Sequence, residues 1–545
     1  MEQLQDARRV GDHRSGARWR TPLARLSVVG DARLTLGDMF DRLARFRPHR
    51  RLVTELGTDE VSLTYAETAE RCARWSGALR RTVLPGDRVV LALPNSYSLF
   101  LASVAVSRAG GIAVPVNSRM RPGEVDHIIG DSQAKLVIRD EDELGDGDDS
   151  PAVRADPDDV AAIFYSSGTT GRPLGAQLTH RSLTGLVRLL ALYPAREQGS
   201  EAVSGLPVAH ISGFSMLVLM AGLGIPVCLL RKFNPVHALD AIEQRRATMF
   251  IGVPAMYRMM LEAGAEQRDL RSVRLWASGA DAMPAELARR FQALGAALRL
   301  PLANRTVGVA AFIDGYGMVE TAGTAAIRLI PPGPASLRLG QLAIARPGYK
   351  LRVLDDDGNF AEHGQVGELA VKGQAVMRGY HGNPDATRQV MTDDGWLRTG
   401  DLARRGRLGS VELVGRKKDV IKHGGYSVYA AEVECVLEEH PGILEAAVIG
   451  LHDEQKGEVP VAVLRLRAGT VLSEKELRRW LENRMSDYKV PRAFKFVDDF
   501  PRNGTDKVRK SELAALFTLN ADRDPDRPNG QPHTGTPPVT VAPTS

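Results

Sequence analysis

Apolar and polar positions switch between two periods along most of the chain. Residues 63–67 lead into a stretch with apolar residues at helical spacing as far as Leu79, Pro85-Gly86-Asp87 marks a turn, and 88–93 reads as a short buried strand. A helical stretch over 97–109, the pair Gly110-Gly111 and a second apolar run over 112–116 complete a strand–helix–strand unit, which predicts a parallel sheet with helices on its faces. The run Val160-Ala161-Ala162-Ile163-Phe164 predicts another buried strand, and 206–210, 250–254 and 275–277 repeat the theme. Each of these ends in small or polar residues, and in open α/β sheets ligands sit at that carboxyl end. After a strand at 411–414, the charged link Gly415-Arg416-Lys417-Lys418-Asp419 precedes a helix at 430–439, strands at 445–450 and 459–466, and a helix at 473–485. The fold class expected is therefore α/β: a large domain over 34–415, with mostly parallel sheets flanked by helices, and a small mobile α+β domain over 416–516. Residues 1–33 read as a basic arm, and the Pro-, Asp- and Thr-rich 517–545 as a disordered tail.

Composition narrows the classes. A chain of 545 residues exceeds what one hydrophobic core organises, in keeping with two domains. Lys+Arg of 71 against Asp+Glu of 66 leaves a net charge of only +5, which gives no basis for nucleic-acid binding. Arg8, Arg9, Arg14, Arg18 and Arg20 are followed by no apolar segment of the kind a secretory signal needs. The longest apolar run, 216–230, is broken by Gly222, Gly224 and Pro226, so no membrane span is expected. Cys72, Cys228 and Cys435 are scattered without metal spacing, which favours a reducing, cytoplasmic location. The oligomeric state stays open.

Candidate chemistry gathers first at Tyr165–His180. Gly168, Gly171 and Gly175 permit close backbone approach, and Ser166, Ser167, Thr169 and Thr170 add hydroxyls to the row of N–H donors, a composition suited to phosphate oxygens or to a plain surface turn. It is neither a Walker loop nor Gly-x-Gly-x-x-Gly. Further on, Asp314-Gly315-Tyr316-Gly317-Met318-Val319-Glu320 places a carboxylate after a glycine-rich strand end, where it either serves the turn or holds a divalent cation bridging phosphates. Thr399-Gly400-Asp401 offers an acceptor for ribose hydroxyls. His210 alone reads as a buried histidine.

Taken in order, these stretches resemble the adenylate-forming superfamily of acyl-CoA synthetases, aryl-CoA ligases, luciferases and peptide-synthetase adenylation domains, from about Leu34 to Leu516. The resemblance implies that Ser166, Ser167, Gly168, Thr169, Thr170 and Gly171 form the phosphate loop. By the same likeness Asp314, Gly315, Tyr316 and Gly317 line the adenine site, and Asp401 and Arg416 take the ribose. It further implies magnesium at Glu320 and Thr170, a hinge at Lys418, and catalytic roles for Lys507, His210 and Glu320. Lys422, Gly424, Gly425 and Tyr426 correspond to the coenzyme A pantetheine tunnel, and His210, Phe214, Ser278, Gly279, Ala280 and Gly323 to the acid pocket. The activity implied is ATP- and Mg2+-dependent conversion of a fatty or aromatic acid to an acyl-adenylate, then transfer to coenzyme A. Transfer to a carrier-protein thiol or an amine, activation of a small acid such as nitrite, and a binding protein without turnover are the alternatives.

Three positions depart from the family's pattern. Leu174 replaces the second lysine of the phosphate loop, Val319 replaces the threonine before the magnesium glutamate, and Asp506 replaces the glycine before Lys507. Backbone donors survive these changes, so ATP binding is still expected, with adenylation slower.

Overall fold

The computed structural model describes residues 33–57, 60–117, 120–166, 172–190, 200–300, 305–331, 342–502 and 507–518. Strand runs and helical runs alternate as the apolar periods require, and the described residues build two large sheets and a two-stranded ribbon, Leu298–Leu300 with Arg305–Val307, before the charged link and one sheet after it. In the larger, 13-stranded sheet, Arg51–Leu56, Val227–Leu230, Ala202–Ser204, Met249–Gly252, Leu275–Gly279 and Ala311–Met318 run parallel to one another, with Glu60–Thr64 antiparallel to Arg51–Leu56 at the edge. From Gly323–Ile330 onward, through Leu342–Ala345, Val411–Arg416, Leu397–Arg405, Val366–Gly373 and Tyr349–Leu354, every pairing is antiparallel. Parallel pairing thus accounts for the half that carries the crossover helices, and hairpin-connected strands add an antiparallel half.

The second sheet sets Leu136–Ile138, Arg88–Leu91, Ile112–Pro115 and Val160–Ser166 parallel, with Leu174–Thr179 antiparallel at its edge. The helices between these strands begin where the sequence supplies caps. Thr64 and Glu67 form a reciprocal capping box at the start of Tyr65–Leu79, and Ser96 accepts from the Leu99 amide at the start of Tyr97–Arg108. Phe100, Phe164 and Phe214 meet edge to face, with ring centroids 4.9 Å (Phe100–Phe214) and 5.2 Å (Phe164–Phe214) apart. A helix and a strand of the second sheet's layer therefore share one aromatic centre with the helix Ile211–Leu223, which fixes the sheets relative to each other.

Residues 206–210 depart from the strand expected of them. The strand is Ala202–Ser204, and beyond it Pro207, which has no amide hydrogen to give a ladder, lies in a turn whose carbonyl accepts from the His210 amide at 3.1 Å. His210 is thereby the N-cap residue of Ile211–Leu223, a helix that stops at Gly224 in the left-handed region (φ 72°). No helix among the described residues is long and apolar enough to cross a membrane.

After Arg416 the chain makes one short turn, Lys417–Asp419, and starts a separate five-stranded sheet built from Val420–His423, Tyr426–Tyr429, Ile443–Asp453, Gly457–Leu466 and Phe494–Phe496. The helices Ala430–Glu438 and Glu474–Glu482 cover it around a core that includes Val433, Leu437, Val448, Leu464 and Leu477.

Gly213 is the contact that sets the His210 turn against its helix, because a Cβ there would meet the Pro207 carbonyl oxygen at 2.3 Å. Gly213→Ala is expected to lower unfolding free energy by about 1–3 kcal/mol, the usual cost of overpacking a closed contact. Urea denaturation of parent and variant measures it, and equal midpoints would show that the turn yields freely.

Candidate active site

The site assembles where strand ends from the large sheet face the small domain. Ala311–Met318 delivers Asp314, Gly315, Tyr316 and Gly317, and a single tight turn, Val319–Thr321, then directs Glu320 inward. Its carboxylate is 4% exposed, and the Tyr380 hydroxyl donates to Oε1 at 2.9 Å. Burial and that carboxylate together push the Tyr380 phenol well above its ordinary range, so it remains a donor at all working pH.

Asp401 and Arg416 are cross-strand partners on the antiparallel half, with Nε of Arg416 3.1 Å from Oδ1 of Asp401. Tyr316 donates its hydroxyl to Oδ2 at 2.7 Å. Three strands thus fix one carboxylate, and its remaining lone pairs suit neighbouring hydroxyls of a sugar. Beside it Asp314 accepts from Arg328 at 2.6 Å, while Oδ1 of Asp314 is buried without a partner in the cleft wall.

Lys507 reaches this cleft from the small domain. Burial lowers its pKa, Asp281 and Asp401 act in the opposite sense, and Arg416 and Lys418 reinforce the lowering. His210 lies close enough to feel the same ammonium: burial first and Lys507 second bring its imidazole down to about 4. Its Nδ1 lies 2.8 Å from the Ser212 hydroxyl and accepts from the Ser212 amide at 3.2 Å, so Nε2 is left facing the cleft side of the helix start.

One wall of the cleft is formed by strand ends with two glycines side by side. Ala277, Ile313, Gly279 and Gly315 lie on one face of paired strands, Ala277 in register with Ile313 and Gly279 with Gly315, and share the cleft with Ser212, Ser215, Met216 and Leu219 of the helix Ile211–Leu223. Gly323 (φ 100°) closes one end, where a Cβ would meet the Ser215 hydroxyl at 2.7 Å. Ser278 and Ala280 also line the cleft. The whole cleft, from this wall to the small domain, encloses about 2180 Å³, room for a nucleotide and an acid together.

Some expected positions fall elsewhere. Phe214 is not a pocket residue: its ring is fully buried against Phe100 and Phe164, because one helical step from Ser215 turns it toward the core. Lys422, Gly424, Gly425 and Tyr426 form an exposed hairpin end, outside the cleft lining in this domain arrangement. A Cβ on Gly424 or Gly425 would meet nothing within 4 Å, the Lys422 ammonium bonds the Ser427 hydroxyl, and Tyr426 stacks on Tyr488 at 4.5 Å. Lys418 lies in the turn between the sheets and borders the cleft. Ser166 ends the strand Val160–Ser166 opposite Leu174, while Ser167, Gly168, Thr169, Thr170 and Gly171 lie outside the described residues. Tyr380, Asp281 and Arg328 are the additions that sequence reasoning missed. Tyr380 sits in an irregular Gly-Tyr-His stretch with no period to betray it, and Arg328 becomes visible only once the Asp314–Arg328 register is known.

Among the described residues no three His, Cys, Asp or Glu side chains converge on one point. Glu320, buried and bonded by the Tyr380 hydroxyl, is the carboxylate in this cleft that would suit a magnesium ion, which needs few protein ligands.

Comparison with known proteins agrees with this geometry. The AMP-binding enzyme family matches residues 40–149 and 139–381, and the AMP-binding enzyme C-terminal domain matches 432–507. Feruloyl-CoA synthase from Amycolatopsis sp is 34% identical over 505 residues, covering 88% of this chain and 99% of that protein. 4-Coumarate-CoA ligase 1 from Narcissus pseudonarcissus is 30% identical over 522 residues, covering 87% and 91%. The structure of o-succinylbenzoate CoA synthetase from Bacillus subtilis, in complex with its acyl-adenylate intermediate, superimposes with a TM-score of 0.75 at 27% identity, covering 88% of this chain and 98% of that one. With its buried Asp401, its inward Glu320 and Lys507 from the second domain lining one cleft, and with family models matching both of its domains, the chain belongs to the AMP-binding enzymes, the adenylate-forming acid–thiol ligases that use ATP, Mg2+ and coenzyme A.

Proposed function

We propose that the acid is a planar aromatic carboxylic acid of the substituted-cinnamate type and that the acceptor thiol is that of coenzyme A. The observation that carries this reading is the glycine pair Gly279–Gly315, which leaves two cross-strand positions without side chains next to Ala277 and Ile313, in a cleft also lined by Met216 and Leu219. A planar ring fits such a slot with little loss of its own freedom, whereas a flexible alkyl chain would lose several rotors there. The relatives named for feruloyl and coumaroyl substrates support the same choice.

In the first half-reaction a carboxylate oxygen attacks the α-phosphorus of ATP, the bond to the β-phosphate breaks, and pyrophosphate leaves. Two anions approach each other, so the protein's task is to offset charge rather than supply a nucleophile. Lys507 supplies the ammonium, Asp401 with Arg416 and Tyr316 fixes the ribose, and Glu320 would hold a magnesium ion, which would supply further positive charge against the phosphates. In the second, the thiol sulfur attacks the acyl carbon, the acyl C–O bond breaks, AMP departs with the oxygen that the acid contributed, and the thiol proton passes to solvent. We place the hinge for the change between them at Lys418, in the turn that separates the two sheets, with the large domain before Arg416 and the small one after it. That change would bring the Gly424-Gly425 hairpin to the thiol's path and remove Lys507. His210 is neutral at working pH and serves as a gate at the head of the acid pocket rather than as an acid or base.

A panel of acids assayed for pyrophosphate release tests the substrate class. Hydroxy- and methoxycinnamates are expected to exceed straight-chain acids of equal length by about tenfold in kcat/KM, the discrimination that a shaped apolar slot supplies; equal values would refute the slot. Lys507→Ala is expected to lose nearly all adenylate formation while sparing thioester formation from supplied acyl-adenylate. Adenylate formed at the parental rate would remove that lysine from the mechanism. His210 adds a pH signature to stability. Its folded pKa of about 4 lies below the ordinary 6.5, so as pH falls through 6.5 toward 4 the unfolded chain takes up a proton that the folded chain refuses, and stability is lost across that window. His210→Asn should therefore shrink the drop in denaturation midpoint between about pH 7 and about pH 5; an unchanged drop would assign the effect to other groups.

A further inference from the structure

The two domains meet through matched charges. Arg258 and Glu262 lie four residues apart on the helix Pro254–Glu262 of the large domain, and so share one face. Opposite them, Glu445 and Arg465 are cross-strand partners in the small sheet. The pairs meet with opposite sign: Arg258 lies 3.5 Å from Glu445 and 2.8 Å from Glu438, and Arg465 lies 3.0 Å from Glu262. Arg258 and Glu445 are buried, 8% and 4% exposed, which sets this contact apart from a screened surface pair.

Glu445 also receives a second guanidinium. Arg502 donates to both its oxygens, at 3.2 and 2.5 Å. The backbone of Arg502 is bridged to Val508, the residue after Lys507, and the Arg509 amide donates to the Pro501 carbonyl at 2.8 Å. A continuous line of contacts therefore runs from the large-domain helix through Arg258, Glu445 and Arg502 to the base of the segment that carries Lys507.

We propose that Arg258 is a positioning residue for adenylate formation, which acts through Glu445 and Arg502 to hold the small domain in the orientation that places Lys507 in the cleft, and whose contact must break before the thiol step. This rests on the role of Lys507 given above. A cluster that merely stabilised the fold would serve both half-reactions alike; this one serves the first and opposes the second.

Arg258→Met keeps the length and apolar stem of the side chain, and Glu445→Gln removes charge from the other side without changing volume. Each is expected to slow acid-dependent pyrophosphate exchange by about tenfold or more, with KM for ATP changed less than about twofold and thioester formation from supplied acyl-adenylate unchanged or faster. The double variant should be no slower than the slower single, because both break one line, and Arg258→Lys should retain part of the exchange rate. Hydrogen exchange gives a readout independent of catalysis. In Arg258→Met the Arg509 amide should exchange faster relative to amides of the strand Gly457–Leu466. Equal losses in both half-reactions, additive effects in the double variant, or unchanged exchange at Arg509 would overturn the proposal. If the parent chain itself showed no acid-dependent exchange with any acid, the reading of the site would fail, while the Arg509 measurement would still decide the contact line.

Discussion

Everything in this molecule depends on keeping one ammonium charged inside a cleft that disfavours it. Burial lowers the pKa of Lys507, and the positive groups Arg416 and Lys418 push in the same direction. Asp281 and Asp401 oppose that tendency, so the lysine is poised: held as a cation by two carboxylates of the large domain, yet able to gain from any further anion brought to it. A triphosphate is such an anion. The same electrostatics that make the empty site uncomfortable make nucleotide and lysine mutually stabilising once both are in place.

The periodic parts of this architecture were legible in the sequence. The strand–helix–strand unit that ends in Ile112–Pro115, the strand Val160–Ser166 and the separate sheet after Arg416 follow from apolar spacing, from the capping residues Thr64 and Ser96, and from the charged link. The antiparallel half of the large sheet was less so, since hairpin strands with one wet face carry weaker alternation than buried parallel ones. At the site, Asp401, Arg416, Tyr316 and Glu320 converge as the motifs imply. Phe214 does not join them, because a single helical step separates a cleft-facing position from a core-facing one and no local pattern marks the difference. Tyr380 and Arg328 were hidden for a second reason: their partners are remote in sequence or set by register, and such contacts leave no local trace.

The departures from the family pattern can be weighed with the structure in view. Val319 is buried and apolar, so the hydroxyl that relatives offer at this point is missing from the turn. Thr321 does not restore it, because its hydroxyl bonds the Met318 and Gly323 carbonyl oxygens. Leu174 sits at the start of Leu174–Thr179 opposite Ser166 and carries no charge into the proposed phosphate side of the cleft. On the proposed reading, with fewer fixed positive groups from the large domain, a greater share of the charge compensation would fall on Lys507.

That shift bears on how the two domains are joined. A lysine that carries more of the electrostatic work must be placed more exactly in space, since the energy of an ion pair in a water-poor cleft changes steeply with distance. Yet the contact that places it must be breakable, because the thiol requires the opposite arrangement. Ion pairs meet both demands better than apolar packing. Arg258 and Glu262 against Glu445 and Arg465 are directional, so they define one orientation, and once parted each group can be hydrated, so separation costs less than exposing a hydrophobic face of equal area. An interface of matched charges is thus the kind that one cleft needs in order to run two chemistries in turn.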